Sequence, residues 1–173
     1  MNLRDKLKED TILFPIHASI MEDAIQEQLD HLQNLDALTG TEILFSIIKS
    51  HEENLPSAAG RGIVYPHATS KEVDELVCIL GISKPGVDFN SPDGQLCHLI
   101  LLTLSPENEP DAHRKFITRF QTMFDNPDVR SKLLDAVEIE DVIESLAERL
   151  PGRGVLILVS DFLTKETGVE KKL

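Results

Sequence analysis

The 173-residue chain is 41% apolar with its 27% of charged residues dispersed, a composition that excludes a disordered chain. Its net charge of −13, with no lysine or arginine stripe, excludes a protein that tracks nucleic-acid phosphates and favours basic protein partners instead. The length suits one domain with its own core.

The opening MNLRDKLKED carries charge where a secretory leader needs an apolar centre. The longest apolar runs, LVCILGI and HLILLTL, are strand-length and far below the roughly 20 residues a membrane helix requires. We therefore expect a cytoplasmic protein without membrane insertion. The only cysteines, Cys78 and Cys97, lie inside apolar runs and read as reduced core thiols. Cys97 and His98 point to opposite faces of a strand, so they make no joint metal site, and we expect neither metal nor organic cofactor.

In chain order, TILFPI (11–16) reads as a short strand. SIMEDAIQEQLDHLQ reads as a helix with a Ser19–Glu22 capping box and a mostly apolar stripe through Ile20, Ala24, Ile25, Gln28, Leu29 and Leu32. TGTEILFSIIKSHEE reads as a second helix, capped by Thr39 or Thr41, with Ile43, Leu44, Ile47 and Ile48 facing inward. Pro56 ends it and opens the loop PSAAGRG.

Three strands follow, GIVYPH, LVCILGIS and HLILLTLS, the last two continuous enough in apolar residues to be covered on both faces. Between those two, PGVDFNSPDGQ is a turn region with Asp93-Gly94 as a tight turn. From Pro110, placed in a first helical turn, a helix buries Phe116, Ile117, Phe120, Met123 and Phe124. Two short helices follow, at 127–136 and 139–150, and then the strand-like run GVLILVSDFLTKETGVEKKL. The expected fold is α/β of the α+β type, a three-layer α/β/α sandwich with a small mixed sheet. Residues 1–150 form the domain, and 151–173 are a strand-like run and charged tail rather than a second one.

Of six histidines, His17 and His31 read as solvated and His98 as a satisfied core or edge residue. His67 ends a strand behind Pro66, which holds Tyr65 extended. Neutral imidazole attacks phosphorus and forms a transferable phosphohistidine. His113 heads the apolar stripe of its helix, where the helix N-terminus disfavours a cationic ring but welcomes phosphate. A phosphoryl group held between two rings is one reading; a strand-end histidine and an amphipathic boundary histidine are the other.

The stretch PSAAGRGIVYPHA, the segment VDFNSPDGQLCHLILLTLSP and the following His113 together resemble enzyme IIA of the fructose–mannitol type in the phosphoenolpyruvate-dependent phosphotransferase system, nearest its stand-alone nitrogen-regulatory branch. Ser57, Gly60, Gly62, Ile63, Pro66 and His67 occupy matching or similar places, over roughly residues 3–150. The resemblance implies a phosphoryl carrier with His67 as acceptor and His113 as its hydrogen-bonding partner. It implies the carrier protein HPr as donor, and a IIB domain or a regulatory target as recipient. With no IIB or IIC sequence attached, a separately encoded member is expected, which passes the group on or uses it as a regulatory signal; a non-catalytic regulatory interaction protein of the same fold is the alternative.

Ser57, Arg61 and the backbone at Gly62 are expected to steady the phosphate. The family's arginine, sixteen residues before the active histidine, falls on His51 here. Arg61 or His51 must stand in for it, and Arg61 is favoured because its charge persists at every working pH.

Overall fold

The computed structural model describes residues 6–149. Its strands are Ile12–Leu13 (β1), Ala58–Gly60 (β2), Ile63–Val64 (β3), His67–Ser70 (β4), Val77–Val87 (β5) and Cys97–Pro106 (β6). Its α-helices are Met21–Asn34 (α1), Glu42–Asn54 (α2), Ala112–Phe124 (α3), Pro127–Asp135 (α4) and Ile139–Ala147 (α5).

The two longest strands, β5 and β6, pair antiparallel at the centre of a six-stranded sheet of order β1-β5-β6-β3-β2. Alternate residues of β6 divide the core. Leu99 and Leu101 pack with Phe116, Phe120 and Phe124 of α3 and with α4 and α5, while Ile100, Leu102 and Leu104 pack with α1 and α2. Each such fully buried side chain contributes about 1.5–3 kcal/mol. The sheet is therefore covered on both faces, as the unbroken apolar runs require, and the expected three-layer sandwich is the observed one.

Both β3 and β4 lie parallel to β6, and Ile63 opposite Leu99 keeps the same register as His67 opposite Thr103. They are two lengths of one extended path, interrupted at Tyr65–Pro66. Pro66 has no N–H to donate, yet its carbonyl still accepts from Thr103 N at 3.0 Å. Within the expected loop 56–62, Ala58 instead pairs antiparallel with Val64.

Several local expectations give way to tertiary contacts. β1 covers only Ile12–Leu13; beyond Pro15, Ile16 N–H rejoins the sheet by donating to Ile82 O at 2.8 Å. The Ser19–Glu22 box does not form, because Ile20 is held extended in a bridge to Asp88 and α1 begins after it. Glu27 closes the approach instead, accepting from His17 N and Ala18 N. Thr41 is the cap residue of α2, but its hydroxyl makes no cap bond and accepts from Gln26 Nε2 at 3.2 Å.

Ile43 is 56% exposed rather than inward, since Leu44, Ile48 and Glu52 form the buried line of α2. Pro110 lies in the turn before α3, whose cap is Asp111. His31 is half-buried and not fully solvated, with Nε2 2.7 Å from Asp10 O. His98 is satisfied by Ser83 O at 2.9 Å, and burial pushes both cysteine thiols up to about 12. The run after residue 150 lies outside the described residues.

Gly81 on β5 tests how tightly α1 packs on the sheet. A Cβ there would strike Ile16 Cδ1 and stand 2.8 Å from Gln28 Nε2, the group that donates to Ile100 O at 2.9 Å. Gly81→Ala is expected to cost about 1–3 kcal/mol through overpacking, read as a lower urea midpoint; an unchanged midpoint would show that the α1 layer yields freely.

Candidate functional site

The site grows from the break in the edge path. Ile63, Tyr65 and His67 face the α3 layer, while Val64 and Ala68 face α1 and α2. His67 thus opens β4 on the α3 side, half-buried, with no described strand paired to its outer edge. Its Nδ1 lies 3.1 Å from Tyr65 O. A carbonyl can only accept, so Nδ1 carries the proton and Nε2 keeps its lone pair. The backbone thereby fixes which nitrogen is nucleophilic.

His113, the second residue of α3, stacks on that ring with centroids 4.8 Å apart and planes 12° from parallel. Burial, and then the neighbouring His67 ring, hold its pKa below the ordinary imidazole value. The Pro110 carbonyl favours the charged ring, but no aligned hydrogen bond reaches the enclosed Nδ1 among the described residues. His113 is therefore neutral, as the helix N-terminus also dictates.

His51, in the last turn of α2, reaches around the sheet edge from the other layer. Its ring centroid is 5.8 Å from that of His67, tilted 44°. Its Nδ1 donates to His67 O at 3.3 Å, and its ring is exposed. The three rings form a row with His67 in the middle. Among the described residues, no group of three or more His, Cys, Asp or Glu side chains is placed to hold a metal ion. What the row offers is a nitrogen nucleophile flanked by two further imidazole rings.

Residues 5–149 match the family model for the phosphoenolpyruvate-dependent sugar phosphotransferase system, EIIA 2. The chain belongs to this family. It is 30% identical to the fructose-specific EIIABC component of Bacillus subtilis over 83% of its length, but spans only 22% of that protein. It is 23% identical to the nitrogen regulatory protein of Bradyrhizobium diazoefficiens over 85% of its own length and 95% of that protein. Among solved structures it superimposes on nitrogen regulatory protein IIA-Ntr from Neisseria meningitidis with a TM-score of 0.75 at 20% identity, covering 83% of this chain and 98% of that one. IIA mannitol from Escherichia coli gives 0.70 at 22% identity, covering 82% and 99%. No helix of the described residues is long and apolar enough to cross a membrane.

Within this EIIA 2 fold, the residues expected to steady the phosphate are not all brought to His67. Gly60, Arg61 and Gly62 have φ of 80°, 57° and 77°, and they form the tip between β2 and β3. Gly62 is fixed there by its carbonyl, which accepts from His98 N and Leu99 N. Five residues of extended chain, about 16 Å, separate it from His67.

The Arg61 guanidinium pairs with Asp125 Oδ1 at 2.6 Å, beyond the C-terminal end of α3. His113 lies at the opposite end of that helix, about 18 Å along its axis. Asp93 of the D-G-Q turn accepts from Arg61 N at 2.8 Å. The Ser91 hydroxyl and the Arg61 and Gln95 N–H groups together hold its carboxyl below the usual carboxylate range. The G-R-G and D-G-Q segments therefore clamp each other as scaffold, and Arg61 is not the cation beside His67.

Ser57 is occupied as well, with its hydroxyl donating to Glu52 Oε1 at 2.5 Å and its N–H to Oε2 at 3.1 Å. Sequence reasoning missed Glu52, because its place on the buried line of α2 calls for an apolar residue. It also missed Thr103, paired with His67 and fully buried, whose hydroxyl has no partner among the described residues. Neither residue carries a motif signal.

Proposed function

We propose that this EIIA protein is a phosphoryl carrier that accepts the group on His67 Nε2 from phospho-HPr. One observation carries the reading: the Tyr65 carbonyl accepts a hydrogen bond from Nδ1–H of His67, leaving Nε2 as the nucleophile beside a stacked, neutral His113. The lone pair of Nε2 attacks phosphorus in line as the donor histidine's N–P bond breaks, and positioning and charge stabilisation supply most of the catalysis. His113 donates to the phosphoryl oxygens, and His51 supports them from the other side. In Escherichia coli a complex of enzyme IIA mannitol with phosphorylated IIB mannitol has been solved, and a IIB domain is the recipient we propose here. Incubation with phosphoenolpyruvate, enzyme I and HPr should add one acid-labile phosphoryl group, seen by mass spectrometry; no added mass would end the reading.

A second reading is regulatory output through binding of one phosphorylation state to a target protein. It is favoured by the match along nearly the whole of the nitrogen regulatory protein. It requires phosphorylation-dependent capture of a defined partner.

The same geometry makes a negative prediction. Arg61→Ala is expected to leave the rate of transfer from phospho-HPr within about twofold of wild type and to cost at most about 1 kcal/mol, the worth of an exposed ion pair. A tenfold slower transfer would restore Arg61 to the site.

A further inference from the structure

We infer that His51 is a proton-carrying partner of the phosphoryl group: it takes up a proton when His67 is phosphorylated and gives it back when the group leaves. The inference rests on His67 as the acceptor. It differs from a permanent cation at this place, because the stabilising charge is present only on demand.

The two rings flanking His67 sit in opposite electrostatic settings. His113 is enclosed at a helix N-terminus, and burial and His67 hold it neutral. His51 is exposed in the last turn of α2, where the helix carbonyls favour a cation and solvent removes the burial cost. Its Nδ1–H is committed to His67 O, so any further proton goes to Nε2. The ring stands 5.8 Å from the ring that would carry the phosphoryl group.

Charged groups around His51 are engaged elsewhere. On its own helix, Lys49 lies 3.8 Å from Glu53 and 4.0 Å from Glu22 of α1. Glu52 turns inward to Ser57. Beyond β4, Lys71 pairs with Glu107 at 3.7 Å, and next to His113, Arg114 pairs with Asp111 at 3.9 Å. From β4 the ionisable group facing His51 is His67 itself, with His113 behind it.

A phosphoryl group adds about −1.5 to −2 charge. An opposite charge at about 4–6 Å raises the proton affinity of a cationic acid by about 1–3 units. Transfer itself balances without a proton: the donor's N–P bond breaks as the Nε2–P bond forms, and His51 draws its proton from water.

The test is a ¹⁵N-edited NMR titration of the histidine rings in the unphosphorylated and phosphorylated full chain, assigned with His51→Gln. The His51 midpoint should rise by about one unit or more on phosphorylation. In parallel, transfer from phospho-HPr is measured in wild type and in His51→Arg between about pH 6 and about pH 8. The ratio of wild type to His51→Arg cancels the titrations of His67 and of the donor, and it should fall about tenfold across that range. A midpoint unchanged by phosphorylation, or a ratio independent of pH, would overturn the inference while leaving His67 as acceptor. If wild type takes no phosphoryl group at all, the function proposed above fails and the inference fails with it.

Discussion

His67→Ala is expected to abolish acid-labile phosphorylation while leaving a folded protein. No other described imidazole combines a lone pair on Nε2, a backbone carbonyl fixing Nδ1–H, and a neutral ring stacked against it. His51 and His113 are within reach of the same donor, so the variant also asks whether position or mere availability of imidazole decides the acceptor. The structural loss is small. His67 is half-buried on an edge strand, and its side chain makes one bond, to Tyr65 O. Losing that bond costs about 0.5–1.5 kcal/mol. Labelling is read by mass spectrometry after incubation with phosphoenolpyruvate, enzyme I and HPr, and stability by urea unfolding. Label appearing on His51 or His113 in the variant would mean that backbone fixing of Nδ1 does not select the nucleophile. Undiminished labelling would remove His67 from the role.

The layers and the central strands could be read from the sequence because unbroken apolar runs such as HLILLTL leave a strand no exposed face. The ends of elements could not, because they are decided by partners distant in the chain. Ser19 and Glu22 have the residue types of a capping box, but the bridge from Ile20 to Asp88 delays the helix past them. Glu52 stands where the buried line of α2 calls for an apolar residue, and its partner, Ser57, reaches it only after the chain has left the helix.

The misplacement of Arg61 is different, since it contradicts another part of the same reading. If residues 62–67 are a strand, each residue advances about 3.3 Å, and Arg61 must lie about 20 Å from His67, farther than its side chain extends. What the spacing rules do support is His51. The helix ends at Asn54, and the chain crosses back through β2 and β3, returning His67 to the end of α2. That His67 and His113 meet followed from their places in the chain; the neighbours that surround them required the sheet register.

His113→Ala should still accept the group on His67 but pass it on about 10²-fold more slowly, the usual loss when one positioned donor to a developing negative charge is removed. The donor role depends on His113 being uncharged. Burial and the adjacent His67 ring keep it neutral, so it can donate one N–H to phosphoryl oxygen without competing with His67 for positive charge. A cation there would pair with the phosphoryl group on His67 and hold it too firmly to release it.

His113→Gln supplies an amide donor on a flexible stem and should recover part of the rate. His113→Lys should accept readily and release poorly. Rates in both directions, with phospho-HPr as donor and unphosphorylated HPr as acceptor, separate these cases. Removing the ring also uncovers one face of His67, so the phosphorylated Ala variant should hydrolyse faster in water than phosphorylated wild type. Wild-type forward and reverse rates in His113→Ala would mean that the 4.8 Å stack is packing alone, and the stabilising donor would then have to be His51.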